Sequence, residues 1–421
     1  MRRTTRQVAL FCLGIVLLST LGGEAGTPSR LRWLGKEYFL LGANYPFYNG
    51  LRGLDIGRLS PRKEIVFFSH PAQGGRLNNP LAFPSVPPGG TGFNATAIEK
   101  QLEDMSHIGI RVVRWIWGWD GRAFFDLDPQ EHCLGLSAEV FTHVDQILQF
   151  AAKHRLYLMP VLLDFRFVSG DAPRFPERRL RYRDGTTEPP HADVIRNPRK
   201  RRMLIDNCIM PLIQRYKDSD QIIIWEIMNE AGNVAYGQDD QTGYTIKSGE
   251  KFPPEGSIHI RILQAFLNEV YDAIKSIDKK HHVLSSGLAR PTQLPMIVGR
   301  VKSDLYGAHY NDDGTSDYGK VASVEKIREQ LMAKYKLKMD KPLLMTESTA
   351  HKKSHLDYYI NSAYDGGWAG ILPWTYYQLI GYHEFNHYKE IVTSKDNKGT
   401  QNVEFFQNWQ RQHKSDTDIG R

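Results

Sequence analysis

Short runs rich in β-branched and aromatic residues recur at 38–43, 111–117, 157–163, 222–228, 282–286, 305–309, 342–346 and 370–375, eight in all. Patterns with helical spacing fill most of the intervals, at 95–108, 137–155, 199–217, 259–278, 323–335 and 354–365. Strands that alternate with helices call for parallel pairing through crossover connections. No glycine-rich nucleotide fingerprint follows any strand, so the eight runs are expected to close on themselves. The predicted fold is α/β, a (β/α)8 TIM barrel in one domain, and not an open doubly wound sheet. The interval between strands five and six is short, which predicts a small or irregular helix there. Pro211 falls inside the third helical pattern and predicts a kink or break, because proline has no N–H for the preceding turn.

At 421 residues the chain has room for two or three domains of about 150 residues. One enlarged barrel accounts for the length if the extra residues lie outside its core. Three segments supply them. Arg2, Arg3 and Arg6 precede an apolar run over 8–21, and Gly23-Glu24-Ala25 puts small residues where a cleavage site needs them. Residues 1–25 therefore read as a secretory signal peptide, too short for a comfortable transmembrane helix, with an uncleaved anchor as the alternative. Residues 45–92, after strand one, hold seven Pro and eight Gly. A loop of that length is functional or disordered, and here it leaves the C-terminal face of the barrel, as a wall of a cleft. The barrel domain is placed at 26–410, and the polar tail 411–421 is expected to fray.

Composition narrows the classes. The 54 basic residues exceed the 47 acidic ones by a net +7. The basic clusters at 178–183 and 196–202 carry no stacking motif, so nucleic acid is not an expected partner. No second stretch can span a bilayer, so after signal cleavage the expectation is a secreted monomer, extracellular or periplasmic, with no membrane contact. The cysteines left after cleavage, Cys133 and Cys208, make no disulfide framework; export permits them to pair, but the sequence does not decide whether they meet. No CxxC or HExxH occurs, so neither a metal nor a cofactor is expected.

The chemistry gathers at strand ends. In Ile222-Ile-Ile-Trp-Glu-Ile-Met-Asn-Glu230 an apolar strand finishes in an amide and a carboxylate, and in Pro342-Leu-Leu-Met-Thr-Glu-Ser348 another finishes in Glu347. The two glutamates are 117 residues apart, which places them on strands four and seven at the same end of a barrel. Paired carboxylates suit glycosidic bond cleavage, with one protonated to release the leaving oxygen and one ionised to attack or to activate water.

With these motifs the chain resembles clan A glycoside hydrolases, most closely glycoside hydrolase family 5, over residues 31–390. The resemblance implies that Asn229 and Glu230 are the strand-four pair with Glu230 as acid/base. It implies that Glu347 is the nucleophile, braced by Arg114 of Val112-Val-Arg-Trp115. Trp374 of Leu372-Pro-Trp-Thr-Tyr376 would floor the subsite for the reacting sugar. In Gly307-Ala-His-Tyr-Asn311 the family's spaced His and Tyr are adjacent. Tyr310 is expected to donate to the nucleophile and His309 to contact sugar. Ala231 replaces the usual proline, and Asp164 of Leu162-Leu-Asp-Phe165 takes a binding role where the family has a histidine. The implied reaction is double displacement, with carboxyl groups about 5–5.5 Å apart. Gly35-Lys-Glu-Tyr-Phe39, Gly42-Ala-Asn-Tyr45 and Arg114-Trp115 resemble the β-mannanase branch. The implied partner is thus a β-linked polysaccharide or oligosaccharide, first β-1,4-mannan. A β-1,4-glucanase, an exo-β-glycosidase and a catalytically inactive carbohydrate-binding barrel stay open.

Strand periodicity adds three expectations. Glu226 points the same way as Glu230 but one layer lower, and needs a partner, for which Arg114 is the candidate. Asn229 reaches the side of Glu230 only if the strand end bends. Trp115 and Trp117 face the helices, whereas Trp119, in Gly118-Trp-Asp-Gly121, is expected to stack on sugar.

Overall fold

The computed structural model describes residues 30–45, 65–66, 93–170, 181–182, 189–237, 256–311, 324–349, 356–374 and 398–419. Residues 1–29 and nearly all of 45–92 lie outside them. Within the described part of that loop, Ile65–Val66 pairs antiparallel with Arg181–Tyr182, from the segment after the third barrel strand. No helix among the described residues is long and apolar enough to cross a membrane.

Eight parallel strands form a closed barrel, a (β/α)8 TIM barrel: β1 Leu40–Asn44, β2 Val112–Ile116, β3 Tyr157–Asp164, β4 Ile224–Asn229, β5 His282–Leu288, β6 Leu305–Asn311, β7 Leu343–Thr349 and β8 Gly370–Trp374. Each strand pairs with its neighbour in sequence, and β8 closes on β1. Alternation along the strands sorts the side chains. On β2, Val112, Arg114 and Ile116 face the barrel interior, whereas Val113 and Trp115, with Trp117 just past the strand, join the core between barrel and helices. Trp115 meets Tyr45 edge-on at 4.6 Å and Trp117 meets Trp225 at 6.3 Å, so both are packing residues.

The helices follow their caps and periodicity. Asn94 accepts from Ala97 N–H to start Ala95–Ile108, Gly109 ends it at φ +102°, and Ile98, Leu102 and Met105 bury one face. Pro211 does not break its helix. The chain runs through Pro198–Met203, a π-helical stretch Leu204–Ile209 and Met210–Tyr216. The wider register just before the proline absorbs the hydrogen bond it is unable to make. After β5 there is only a short 3-10 turn, Pro291–Met296. Cys133 and Cys208 are joined by a disulfide.

The lower half of the barrel is filled by one apolar side chain from each strand, from Leu40 on β1 to Leu372 on β8. A hairpin of Leu31–Trp33 and Lys36–Tyr38 covers this end. The C-terminal tail completes the cover, which corrects the expectation that it frays. Helix Lys398–Gln412 buries Phe406 and Trp409. Phe39 N–H donates to Asp416 O at 2.7 Å, and Ile419 packs into the floor at 5% exposure. One isoleucine among polar residues carries too little periodicity to announce itself, yet it has an apolar seat waiting.

Candidate active site

Arg114 organises the upper barrel. Its guanidinium is fully buried and all five of its N–H donors are matched. Nε and Nη2 form a bidentate pair with Glu226 at 2.7 and 2.8 Å, Nη1 donates to Glu347 at 2.7 Å and to Asn44 at 2.8 Å, and Nη2 also donates to Asn229 at 2.6 Å. Burial disfavours the charge, but the carboxylates of Glu226 and Glu347 outweigh it and hold Arg114 firmly protonated. Asn44 in turn donates to Thr346 O and Leu372 O, both at 2.8 Å, so strands one, two, four and seven meet on one cation and strand eight is tied in through Asn44.

The two glutamate strands break their alternation where they reach the site. On β4, Glu226 and Asn229 face inward while Ile227 and Met228 both join the outer core. Glu230 then takes φ +50°, a left-handed conformation that costs a non-glycine residue roughly 1–3 kcal/mol. Glu230 N–H donates to Gly287 O at 2.8 Å, and Asn233 Nδ2 donates to Glu230 Oε2 at 2.7 Å. This bend puts Asn229 and Glu230 on the same side. On β7 the pairing register with β8 shifts between Met345 and Ser348, and both Thr346 and Glu347 are buried toward the interior.

His309 stands between the glutamates. Its Nδ1 lies 3.1 Å from Glu230 Oε1 and 3.2 Å from Glu347 Oε2, and one ligand-type atom of each of the three residues falls within 4.8 Å of the others. Tyr310 does not share this position, a correction to the expected donor. Strict alternation over Leu305, Gly307 and His309 turns Tyr310 outward, where its ring sits 5.9 Å from Tyr359 of helix Leu356–Asp365. His309 is also fully buried, so it serves the glutamates from below and not as an open sugar contact.

Asp164 is also a support residue. It is 1% exposed, accepts from Asn229 Nδ2 at 2.7 Å and from Arg166 N–H at 3.0 Å, so it fixes the Asn229 amide instead of reaching into a cleft. Trp119 is likewise no open platform. It is 5% exposed, packs with Ile116, Val161 and the half-buried Trp374, and has the Arg166 guanidinium 5.0 Å above its ring. Trp374 ends β8 beside it. Asn233 and Arg166 were not singled out by sequence; an amide three residues after Glu230 is the only signal for the former.

Burial pushes Glu347 up to about 7; the charges of His309 and Arg114 pull the other way, and the neighbouring Glu230 adds to the rise. Burial would raise Glu230 as well, but the hydrogen bond and charge of His309, with Arg166 and Arg114, hold it below its ordinary value. Two carboxyls this close titrate as a pair that shares a proton. The same three groups have the spacing of metal ligands, but Arg114 already occupies one side of Glu347 with a fixed positive charge, which opposes a cation.

The fold resembles those of solved β-mannanases over most of its length. The structure of a β-1,4-mannanase from the sea hare Aplysia kurodai matches with TM-score 0.60 at 16% identity, covering 92% of this chain and 97% of that one. An endo-1,4-β-mannanase from Eisenia fetida matches with TM-score 0.57 at 19% identity, covering 82% and 87%. A β-mannanase from the blue mussel Mytilus edulis gives 0.55 at 15%, covering 91% and 95%. No protein-family model matches the chain, and no curated protein matches it by sequence.

Proposed function

We propose that the protein is a retaining β-glycoside hydrolase of the family 5 type that cleaves β-1,4-mannan or its oligosaccharides. The observation that carries this reading is the convergence of Glu230 and Glu347 on one atom, His309 Nδ1, at 3.1 and 3.2 Å. Carboxyls held against one another favour attack by one of them over the wider, water-separated pair of an inverting enzyme. In the reacting tautomer the shared proton is on Glu230 and Glu347 is ionised, supported by the Arg114 hydrogen bond. Glu347 attacks the anomeric carbon as Glu230 protonates the leaving oxygen; Glu230 then takes a proton from water, which releases the sugar from Glu347. Trp374, half-buried at the end of β8, offers an apolar face for the reacting pyranose. Mannan is favoured among substrates by the resemblance of the N-terminal motifs and by the fold likeness to β-mannanases. Export is supported by the leader pattern at 1–25 and by the Cys133–Cys208 disulfide, which belongs to oxidising compartments.

The test is hydrolysis by the purified protein of mannan, cellulose, xylan and aryl β-glycosides. Turnover of mannan with retention, abolished by Glu347→Ala and partly restored by azide, is the expected result. Binding without turnover would replace the hydrolase reading with a carbohydrate-binding barrel.

A further inference from the structure

Two polar atoms next to the site have no hydrogen-bond partner among the described residues, although both belong to fully buried side chains: Thr346 Oγ1 and His309 Nε2. They converge. A Cβ on Gly287 would lie 2.8 Å from Thr346 Oγ1, 3.1 Å from His309 Nε2 and 2.8 Å from Glu226 Oε1. All three atoms thus close in on the Gly287 Cα, where a Cβ would collide with them. Leaving a buried polar atom unmatched is costly, so two such atoms beside one glycine call for a shared partner.

The bonds already made decide which groups it joins. Glu226 Oε1 already accepts from Arg114 Nη2 at 2.8 Å and from Gly287 N–H at 2.9 Å. His309 Nδ1 faces only carboxylate oxygens, so its hydrogen is needed there. Nε2 is left over, and the Thr346 hydroxyl is the other unmatched group beside the same glycine. We infer that Thr346 is a positioning residue for the reaction: its hydroxyl, joined to His309 Nε2 over one shared buried water, fixes the ring orientation that aims Nδ1–H at both glutamates. During double displacement the negative charge moves from Glu347 to Glu230. An Nδ1–H held midway can serve whichever carboxylate is ionised, without a turn of the ring. This role rests on the hydrolase reading above, whereas the hydrogen bond itself does not.

The experiment compares the full chain with Thr346→Val, which keeps the volume and removes the hydroxyl, and Thr346→Ser, which keeps the hydroxyl. The His309 ring nitrogens are followed by 15N NMR and assigned by the signals that vanish in His309→Gln. In Thr346→Val the Nε2 signal should move, and kcat on an aryl β-mannoside should fall about tenfold with KM within about twofold, the loss of one hydrogen bond in the reacting state. Thr346→Ser should restore both. Unchanged His309 ring signals in a folded Thr346→Val protein would overturn the inference, as would a moved signal with kcat unchanged. A parent protein that hydrolyses no β-glycoside would instead sink the hydrolase reading, and the ring signals would still decide the hydrogen bond.

Discussion

Glu226 takes a bidentate pair from Arg114, Nε to Oε2 at 2.7 Å and Nη2 to Oε1 at 2.8 Å, with neither side chain exposed to solvent. A charge pair at this depth holds only while both members are present. Glu226→Ala would leave two guanidinium donors without acceptors. It should cost about 3–5 kcal/mol of folding stability, read by urea unfolding. Glu226→Gln, which keeps one acceptor oxygen, should cost less. Equal stabilities for parent and Glu226→Ala would show that Arg114 finds other acceptors.

The pH dependence follows from the glutamate pair. The charge of Glu230 contributes to holding Glu347 near 7. Glu230→Gln removes that charge, so Glu347 should ionise at lower pH. With a 2,4-dinitrophenyl β-glycoside, whose leaving group needs no proton, the acid limb of kcat/KM should move down by on the order of one pH unit. With a poor leaving group the same variant should lose roughly 10²–10⁴ in rate. An acid limb that stays in place would mean that Glu347 does not govern it.

Most of the barrel was legible in the sequence, because eight strand-like runs alternating with helical patterns admit few other folds. The Glu226–Arg114 pair was legible for the same reason, since period two sets both inside the barrel. What periodicity missed lies where it stops holding. Asn229 and Glu230 reach one side through a left-handed residue, and Thr346 and Glu347 through a register shift. Neither break has a glycine or proline to mark it. At β6 the error ran the other way. Leu305, Gly307 and His309 alternate without interruption and point to His309, and the resemblance to a spaced His and Tyr drew attention to Tyr310. The ring of Trp119 packs beside Trp374 with Arg166 over it, a cover that depends on a turn that propensity does not reveal.

Asp164 offers a test of the support beneath Asn229. Burial raises it from 3.8 to about 6, against the pull of Arg166 and Asn229. Native Asp164 thus keeps its proton over a window in which the unfolded chain has released it. The stability it contributes is full below 3.8 and is lost as pH rises through about 6. Asp164→Asn carries no such dependence. Relative to that variant, the parent should lose on the order of 1–3 kcal/mol between pH 4 and pH 7, measured by chemical denaturation at both. A constant difference would show that Asp164 stays ionised in the folded state.

The floor of the barrel can be separated from its chemistry by shortening the tail. Removing 413–421 takes away the Phe39–Asp416 backbone bond, the Tyr364–Asp416 hydrogen bond and the buried Ile419. Burial of one isoleucine contributes about 1.5–3 kcal/mol, and the lost hydrogen bonds about 1 kcal/mol each. The truncated protein should therefore unfold at lower denaturant by on the order of 3 kcal/mol. The glutamates sit at the opposite end of the strands, so kcat at 25 °C should stay within about twofold of the parent, because distant sites act independently. A protein that unfolds like the parent would mean that the hairpin over 31–38 closes the floor without the tail. A selective loss of kcat with stability intact would mean that the floor is mechanically tied to the site through the inward side chains between them.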